Sequence, residues 1–203
     1  MKRQRGPSKA WKPEEPLEPE TSPLQLYTGQ GTKGVLCEWY LKEVGLDAEM
    51  IRLDRTLKEQ RSDSFREVNP FMRLPTLVDG DLRLAESGAI LLYLADKYGG
   101  LNTPEDRAVA AKWVFFGQTT LMDVFFVEDQ TELQPDTLQA LEEVVASRDY
   151  LIGSRFSVAD AAVGHALRYI DLSFTKVNFS SYPSIQEYMK RINGRAAYQS
   201  ART

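Results

Sequence analysis

The apolar residues of this chain change their spacing partway along. Up to residue 85 they come in short runs, Leu24–Tyr27, Glu49–Leu53, Pro75–Val78 and Leu82–Ala85, each of strand length. Between the first two lies Lys33–Val44, where Val35, Leu36, Trp39, Tyr40 and Val44 make a stripe at the helical period and Gly45 supplies a stop. Strand, helix and strand in that order imply a right-handed parallel crossover. The last two strands meet at Asp79-Gly80, a dipeptide suited to φ > 0 and a strong hairpin signal. Ser87 then stands where a helix N-cap is expected, and Ile90, Leu91, Leu92, Leu94 and Ala95 give a wide apolar helix face. Arg55–Phe65 is charged and reads as a loop or a short helix.

Beyond Gly99-Gly100 and Pro104 only the helical period remains. Ala108–Phe126 reads as one long element and Thr137–Asp149 as a second, with Val158–Ile170 and Ile185–Ile192 after them. Ser157-Val158-Ala159-Asp160 has the form of a capping box, in which Ser157 accepts from the Asp160 N–H and Asp160 reaches back, with Phe156 as a hydrophobic staple. The expected fold is α/β plus all-α: a thioredoxin-like βαβ-ββα domain over residues 24–99, then an all-helical domain over residues 105–203. Residues 1–23 differ from both. They are proline-rich, basic at first and then acidic, and lack apolar periodicity, so a disordered tail is expected. No apolar core of a secretory signal is present in that tail.

Composition narrows the function. A chain of 203 residues with 42% apolar content can bury a core. The net charge of −4, without a basic stripe, argues against a nucleic-acid partner. No apolar run approaches the roughly 20 residues of a membrane helix, so no membrane role is expected. Cys37 is the single cysteine, which excludes an internal disulfide, a CxxC redox pair and a Cys–His metal site; no metal is expected. Cys37 itself reads as a small buried hydrophobe. The single histidine, His165, lies in a helix interior and reads as a satisfied buried or interfacial residue.

Candidate chemistry concentrates in Asn69–Tyr98. Pro75 opens a strand, and the next strand ends on the acid–Ser helix start Glu86-Ser87. A cis proline would expose the backbone of Leu74 for pairing with an extended ligand, and the helix start offers free N–H groups and a positive dipole end to a carboxylate. Together these make a site for a small peptide.

The segment Asn69-Pro70-x-x-Arg73-Leu74-Pro75 followed by Glu86-Ser87 resembles the glutathione-binding half of a cytosolic glutathione S-transferase. The resemblance extends over nearly the whole chain after Pro23 and is closest to the compact chi class of cyanobacteria and their relatives. It implies an enzyme that takes glutathione as co-substrate, activates its thiol and joins it to a small hydrophobic electrophile, with reduction of organic peroxides as a related activity. It also implies a homodimer, in contact through Ser87–Tyr98 and the long helix, and a cytoplasmic location with a plastid as the alternative. A non-catalytic docking module on the same fold is the alternative function.

Carried over by position, Leu74 beside Pro75 pairs with the cysteinyl backbone. Glu86 and Ser87 take the γ-glutamyl amine and carboxylate. Arg73, with Lys33 as a second candidate, meets the glycyl carboxylate. The thiol donor is open. The family's catalytic Ser or Cys position falls on Gly31, which has no side chain, leaving Thr32, Tyr27 or a backbone N–H of Gly31–Lys33. A free thiol has a pKa near 8.5, and one hydrogen bond plus a helix N-terminus lowers it by about one to two units. The electrophile pocket would draw on Trp113, Phe115, Phe116, Met122, Phe125 and Phe126.

Overall fold

In the computed structural model, residues 23–173, 177 and 179–201 are described. The tail expected over residues 1–23 therefore lies, apart from Pro23, outside the described residues.

Four short strands make one mixed sheet: β1 (Gln25–Thr28), β2 (Glu49–Arg52), β3 (Thr76–Asp79) and β4 (Leu82–Ala85), in the order β2-β1-β3-β4. β1 and β2 run parallel, with Leu26 opposite Met50, while β3 is antiparallel to both β1 and β4. The crossover between β1 and β2 is α1 (Gly34–Glu43), and the hairpin turns at Gly80 with φ +57°. Alternation along β1 sends Leu26 and Thr28 to the face covered by α1 and leaves Tyr27 on the other face, where its ring lies 5.4 Å from Phe65 of α2 (Asp63–Val68). The charged stretch before α2 contains a 3₁₀ turn at Glu59–Arg61. α3 (Ser87–Tyr98) follows the hairpin and buries Ile90, Leu91, Leu94 and Ala95 on the α1 side.

The helical half comprises α4 (Pro104–Phe115), α5 (Leu121–Phe126), α6 (Gln134–Ala146), α7 (Val158–Ser173), α8 (Pro183–Asn193) and α9 (Ala196–Ala201). α4 starts on a complete capping box, Thr103 with Asp106, and on Pro104, whose missing N–H would have had no partner there anyway. The single long element expected over Ala108–Phe126 is instead α4 and α5 joined by a π turn at Phe116–Thr120. The cause is packing: a Cβ on Gly117 would lie 2.9 Å from the Ala162 carbonyl oxygen, so the helix widens where its backbone meets that of α7. α7 is central. Its small residues Ala159, Ala161, Ala162, Gly164 and Ala166 are buried and let neighbouring helices approach closely.

At the start of α7 Asp160 reaches back to the Ser157 N–H at 2.9 Å as expected, and the other half of the box is corrected. The Ser157 hydroxyl donates to Asp160 Oδ2 at 2.8 Å instead of accepting from the Asp160 N–H, because Asp160 is a fully buried acceptor that also takes the Leu151 N–H and the Tyr188 hydroxyl. Phe156 lies against Trp39 of α1, 5.3 Å between rings, and under the Arg195 guanidinium. Arg195 in turn makes two 2.7 Å bonds to Glu43, and the Trp39 indole N–H donates to the same carboxylate. This cluster fastens α9 to α1 and joins the two halves into one core.

Candidate functional site

Asn69, 2% exposed, builds the loop ahead of Pro75. Its amide donates to the Arg73 carbonyl (2.9 Å) and the Thr76 hydroxyl (3.0 Å), and its Oδ1 accepts from Phe71 N–H. The Leu74–Pro75 peptide is cis. With the Arg73 carbonyl taken and the β1–β3 ladder starting only at Thr76, the backbone N–H and C=O of Leu74 make no hydrogen bond among the described residues. Arg73 is exposed beside it. An extended peptide can therefore add along Leu74.

The start of α3 differs from expectation by one residue. Ser87 is the first helical residue and Glu86 the cap position, held at φ +69°, ψ 116° with no side-chain cap bond. A non-glycine residue in that region is strained, of order 1–3 kcal/mol, and such strain collects at functional sites. Glu86 is exposed, while Ser87 is buried at the helix N-terminus. The Ser87 hydroxyl lies 3.2 Å from Gln118 Oε1, and Lys33 Nζ lies 2.8 Å from the same oxygen. Lys33 thus stands at the Glu86-Ser87 end of the site and not at the Arg73 end, where it was expected as second candidate. Burial lowers its pKa and Glu86 opposes that shift. Gln118, on the π turn, was absent from the sequence reading; the lone glycine before it, inside an apolar helical run, was the available signal.

Residues 29–33 turn from β1 into α1. Gly31 has φ +69°, a backbone conformation that favours glycine at this position. The Thr32 hydroxyl donates to the Gly29 carbonyl at 2.7 Å and accepts from Gly34 N–H at 3.2 Å, so in the free protein it ties the turn together. Thr32 lines the cleft described below; Tyr27 does not, because strand alternation turns its ring toward Phe65 on the opposite face.

Beside this turn opens a cleft of ≈ 790 Å³ between the two halves. Thr28, Thr32, Lys33 and Val35 form one wall, and Gln118, Met122, Phe126, His165 and Tyr169 face them, with Tyr198 of α9 closing the end. Of the aromatic residues expected here only Phe126, with Met122, lines the cleft; Trp113 and Phe125 are buried and Phe115 is exposed elsewhere. α7 supplies the walls that the sequence reading left out. His165 is among them, half-buried at the cleft wall, and makes no hydrogen bond with any described residue; burial, aided by the Lys33 charge, pushes its pKa down to about 4. Cys37 is fully buried on α1 and burial pushes its thiol pKa up, so it is no nucleophile. Among the described residues no group of three or more His, Cys, Asp or Glu could hold a metal, and no helix is long and apolar enough to cross a membrane.

Known proteins resemble this chain over both halves. Residues 22–96 match the family model for the glutathione S-transferase N-terminal domain, and residues 110–199 match that for the C-terminal domain. Glutathione S-transferase 3 of Zea mays is 33% identical over 172 residues, covering 72% of this chain and 77% of its own. Glutathione S-transferase 1 of Schizosaccharomyces pombe is 29% identical over 166 residues, covering 69% and 72%. Among solved structures, a glutathione transferase family member from Pseudomonas fluorescens with two glutathione bound superposes with a TM-score of 0.75 at 25% identity, covering 88% of this chain and 92% of that one.

Proposed function

The chain belongs to the glutathione S-transferase family, and from that premise we propose that it binds glutathione, holds it as the thiolate and adds it to small hydrophobic electrophiles. The observation that carries this reading is the convergence of Ser87 Oγ and Lys33 Nζ on one oxygen at the N-terminus of α3, across from the unpaired backbone of Leu74. A γ-glutamyl carboxylate on those donors gains two charge-assisted bonds and the helix dipole. Glu86, exposed and anionic, takes the ammonium. The cysteinyl amide pairs with Leu74 next to Pro75, and the glycyl carboxylate reaches Arg73. That path ends with the sulfur over the 29–33 turn at the mouth of the cleft.

There the Thr32 hydroxyl is the donor we assign. Rotation re-aims its O–H from the Gly29 carbonyl to the sulfur, which accepts the hydrogen bond as a thiolate, and the N–H groups at the start of α1 add a positive potential. Tyr27 is set aside for the reason given above. The thiolate then attacks the electrophile in the cleft, forming the C–S bond as the leaving group departs with its electron pair. With an organic peroxide the same thiolate takes one oxygen, giving an alcohol and a sulfenic acid that a second glutathione reduces to disulfide and water. Chi-class affinity belongs to this proposal, as does a homodimer across α3 and α4, whose Tyr98 and Val109 are exposed apolar side chains. So does a reducing compartment, cytoplasm or plastid, in keeping with a single buried free thiol.

A second reading, a non-catalytic binding module, is favoured by Gly31 in the nucleophile-activating position and by the Thr32 proton being spent on Gly29. One experiment separates the two. Retention on immobilised glutathione followed by turnover of a chromogenic aryl halide supports the enzyme. Retention without turnover of aryl halide, isothiocyanate or cumene hydroperoxide supports the module, and failure to be retained removes both.

A further inference from the structure

The cleft carries more polar chemistry than a pocket for purely apolar ligands needs. On α7, His165, Arg168, Tyr169 and Leu172 stand at i, i+3, i+4 and i+7, one helical stripe, and all four line the cleft. Three of them have a role already. Arg168 donates to Asp171 Oδ2 at 2.6 Å, the Tyr169 ring stacks on Phe126 with 5.7 Å between centroids, and Leu172 adds apolar surface. His165 has none: it is half-buried, and neither ring nitrogen makes a hydrogen bond with a described residue. It also stands at the reactive end of the stripe. α7 meets the π turn at Ala162–Val163, one helical turn before His165, and Lys33 of the 29–33 turn is the charged group that acts on its ring.

We infer that His165 is a catalytic residue for electrophiles whose reaction puts negative charge on oxygen, conjugated carbonyl compounds above all, its ring N–H donating to the carbonyl oxygen as the thiolate adds to the β-carbon. The inference rests on the glutathione reading above, which brings the sulfur to the 29–33 turn, across the cleft from α7. A neutral imidazole carries one N–H donor and one acceptor nitrogen. The pKa of His165 lies below the ordinary 6.5, so at pH 7 the ring is neutral and lends a hydrogen bond without giving up its proton. In the addition the C–S bond forms, the C=C pair moves toward the carbonyl, and an enolate oxygen develops beside the N–H. A donor aimed at that oxygen stabilises the transition state more than the ground state, because the charge is still growing there. Water then protonates the α-carbon, which returns the proton that the thiol released to solvent. Displacement of a halide asks for none of this, since the charge departs with the halide. A ligand without an oxygen at this place also covers the ring N–H and leaves it unpaired, and so loses affinity.

The test compares two electrophiles on the full chain with glutathione: benzylideneacetone, a conjugated ketone, and benzyl chloride, which has no oxygen. His165→Phe keeps an aromatic ring and removes the N–H. The ratio of kcat/KM for the ketone to that for the chloride should fall about tenfold, less than in an enclosed oxyanion site because the cleft is open. His165→Gln keeps an N–H donor and should hold the ratio within about threefold of the unsubstituted value. An unchanged ratio in His165→Phe, a ratio in His165→Gln as low as in His165→Phe, or turnover of the chloride but not of the ketone by the unsubstituted protein would each overturn the assignment. A measurement without variants carries the test if neither folds. His165 is the single histidine, so its ring nitrogen resonances need no assignment. The protonated nitrogen should shift downfield when the glutathione conjugate of benzylideneacetone binds, because that conjugate keeps its carbonyl, and should not do so with S-benzylglutathione; the same spectrum with both would overturn the role. The two layers stay separable: no binding of either conjugate and no turnover defeats the glutathione reading itself, whereas turnover of both electrophiles with an unchanged ratio in His165→Phe defeats only the role of His165.

Discussion

Replacing Ser87 by alanine removes one hydroxyl from the buried start of α3, and its effect on ligand binding can be worked from the bonds that hydroxyl makes. In the free protein it donates to the neutral Gln118 Oε1 at 3.2 Å. In the complex it donates to a carboxylate. A bond to a neutral acceptor contributes about 0.5–1.5 kcal/mol and one to a charged acceptor about 1.5–3 kcal/mol. Only the difference, about 1–1.5 kcal/mol, favours binding, so the dissociation constant for glutathione should rise about five- to thirteenfold and not more. The lost bond to Gln118 should appear separately as about 0.5–1.5 kcal/mol of stability in urea unfolding. Calorimetry on Ser87→Ala reads the first number. An unchanged dissociation constant would remove Ser87 from the site. A loss beyond a hundredfold would mean that the substitution collapses the α3 start, which the urea midpoint would reveal.

Four further outcomes follow from the geometry. Thr32→Val should raise the pKa of the bound thiol by about one unit, the scale of one hydrogen bond to sulfur, in ultraviolet thiolate titration, and Tyr27→Phe should leave it unchanged; the reverse pattern would reinstate Tyr27. His165 has a folded pKa near 4 against an ordinary value of 6.5, so the unfolded chain binds the extra proton and stability should fall as pH drops from about 6.5 to 4. His165→Gln should flatten that part of a urea-midpoint profile, and a profile as steep as that of the unsubstituted protein would show that other groups carry it. Iodoacetamide should leave the folded protein unmodified and fully active, because Cys37 is enclosed; stoichiometric labelling without denaturant would contradict its burial. Gly117→Ala should cost about 1–3 kcal/mol by thermal unfolding, since its Cβ meets the Ala162 carbonyl at 2.9 Å; a neutral result would mean that α7 can shift to admit it.

Much of this fold is readable from local pattern. Period-two runs, the Asp79-Gly80 turn and the Glu86-Ser87 helix start are short-range signals, and they specify the sheet and both flanking helices to within a residue or so. What escaped is set by contacts far along the chain. The π turn that delivers Gln118 exists because Gly117 meets Ala162, a pairing that no local window contains. The contribution of α7 to the cleft has the same origin: His165 and Tyr169 sit in a helix whose small residues bring it within reach of α1. Tyr27 was ambiguous because a residue at the end of a strand can face either way until the sheet's partners fix the pleat, and Leu26 opposite Leu77 does so. The Ser157 hydroxyl donates to Asp160 and does not cap its N–H for a related reason, since Asp160 is also fixed by the donors Leu151 and Tyr188 from outside the box.

The central claim is a placement: the tripeptide runs along Leu74 with its γ-glutamyl head on Ser87 and its sulfur over the 29–33 turn. A crystal of the protein grown with glutathione tests it directly. Density for the cysteinyl amide paired with the Leu74 backbone, the α-carboxylate on Ser87 and sulfur beside Thr32 is the predicted result. Glutathione seated only among Met122, Phe126 and Tyr169, with Leu74 still unpaired, would contradict it.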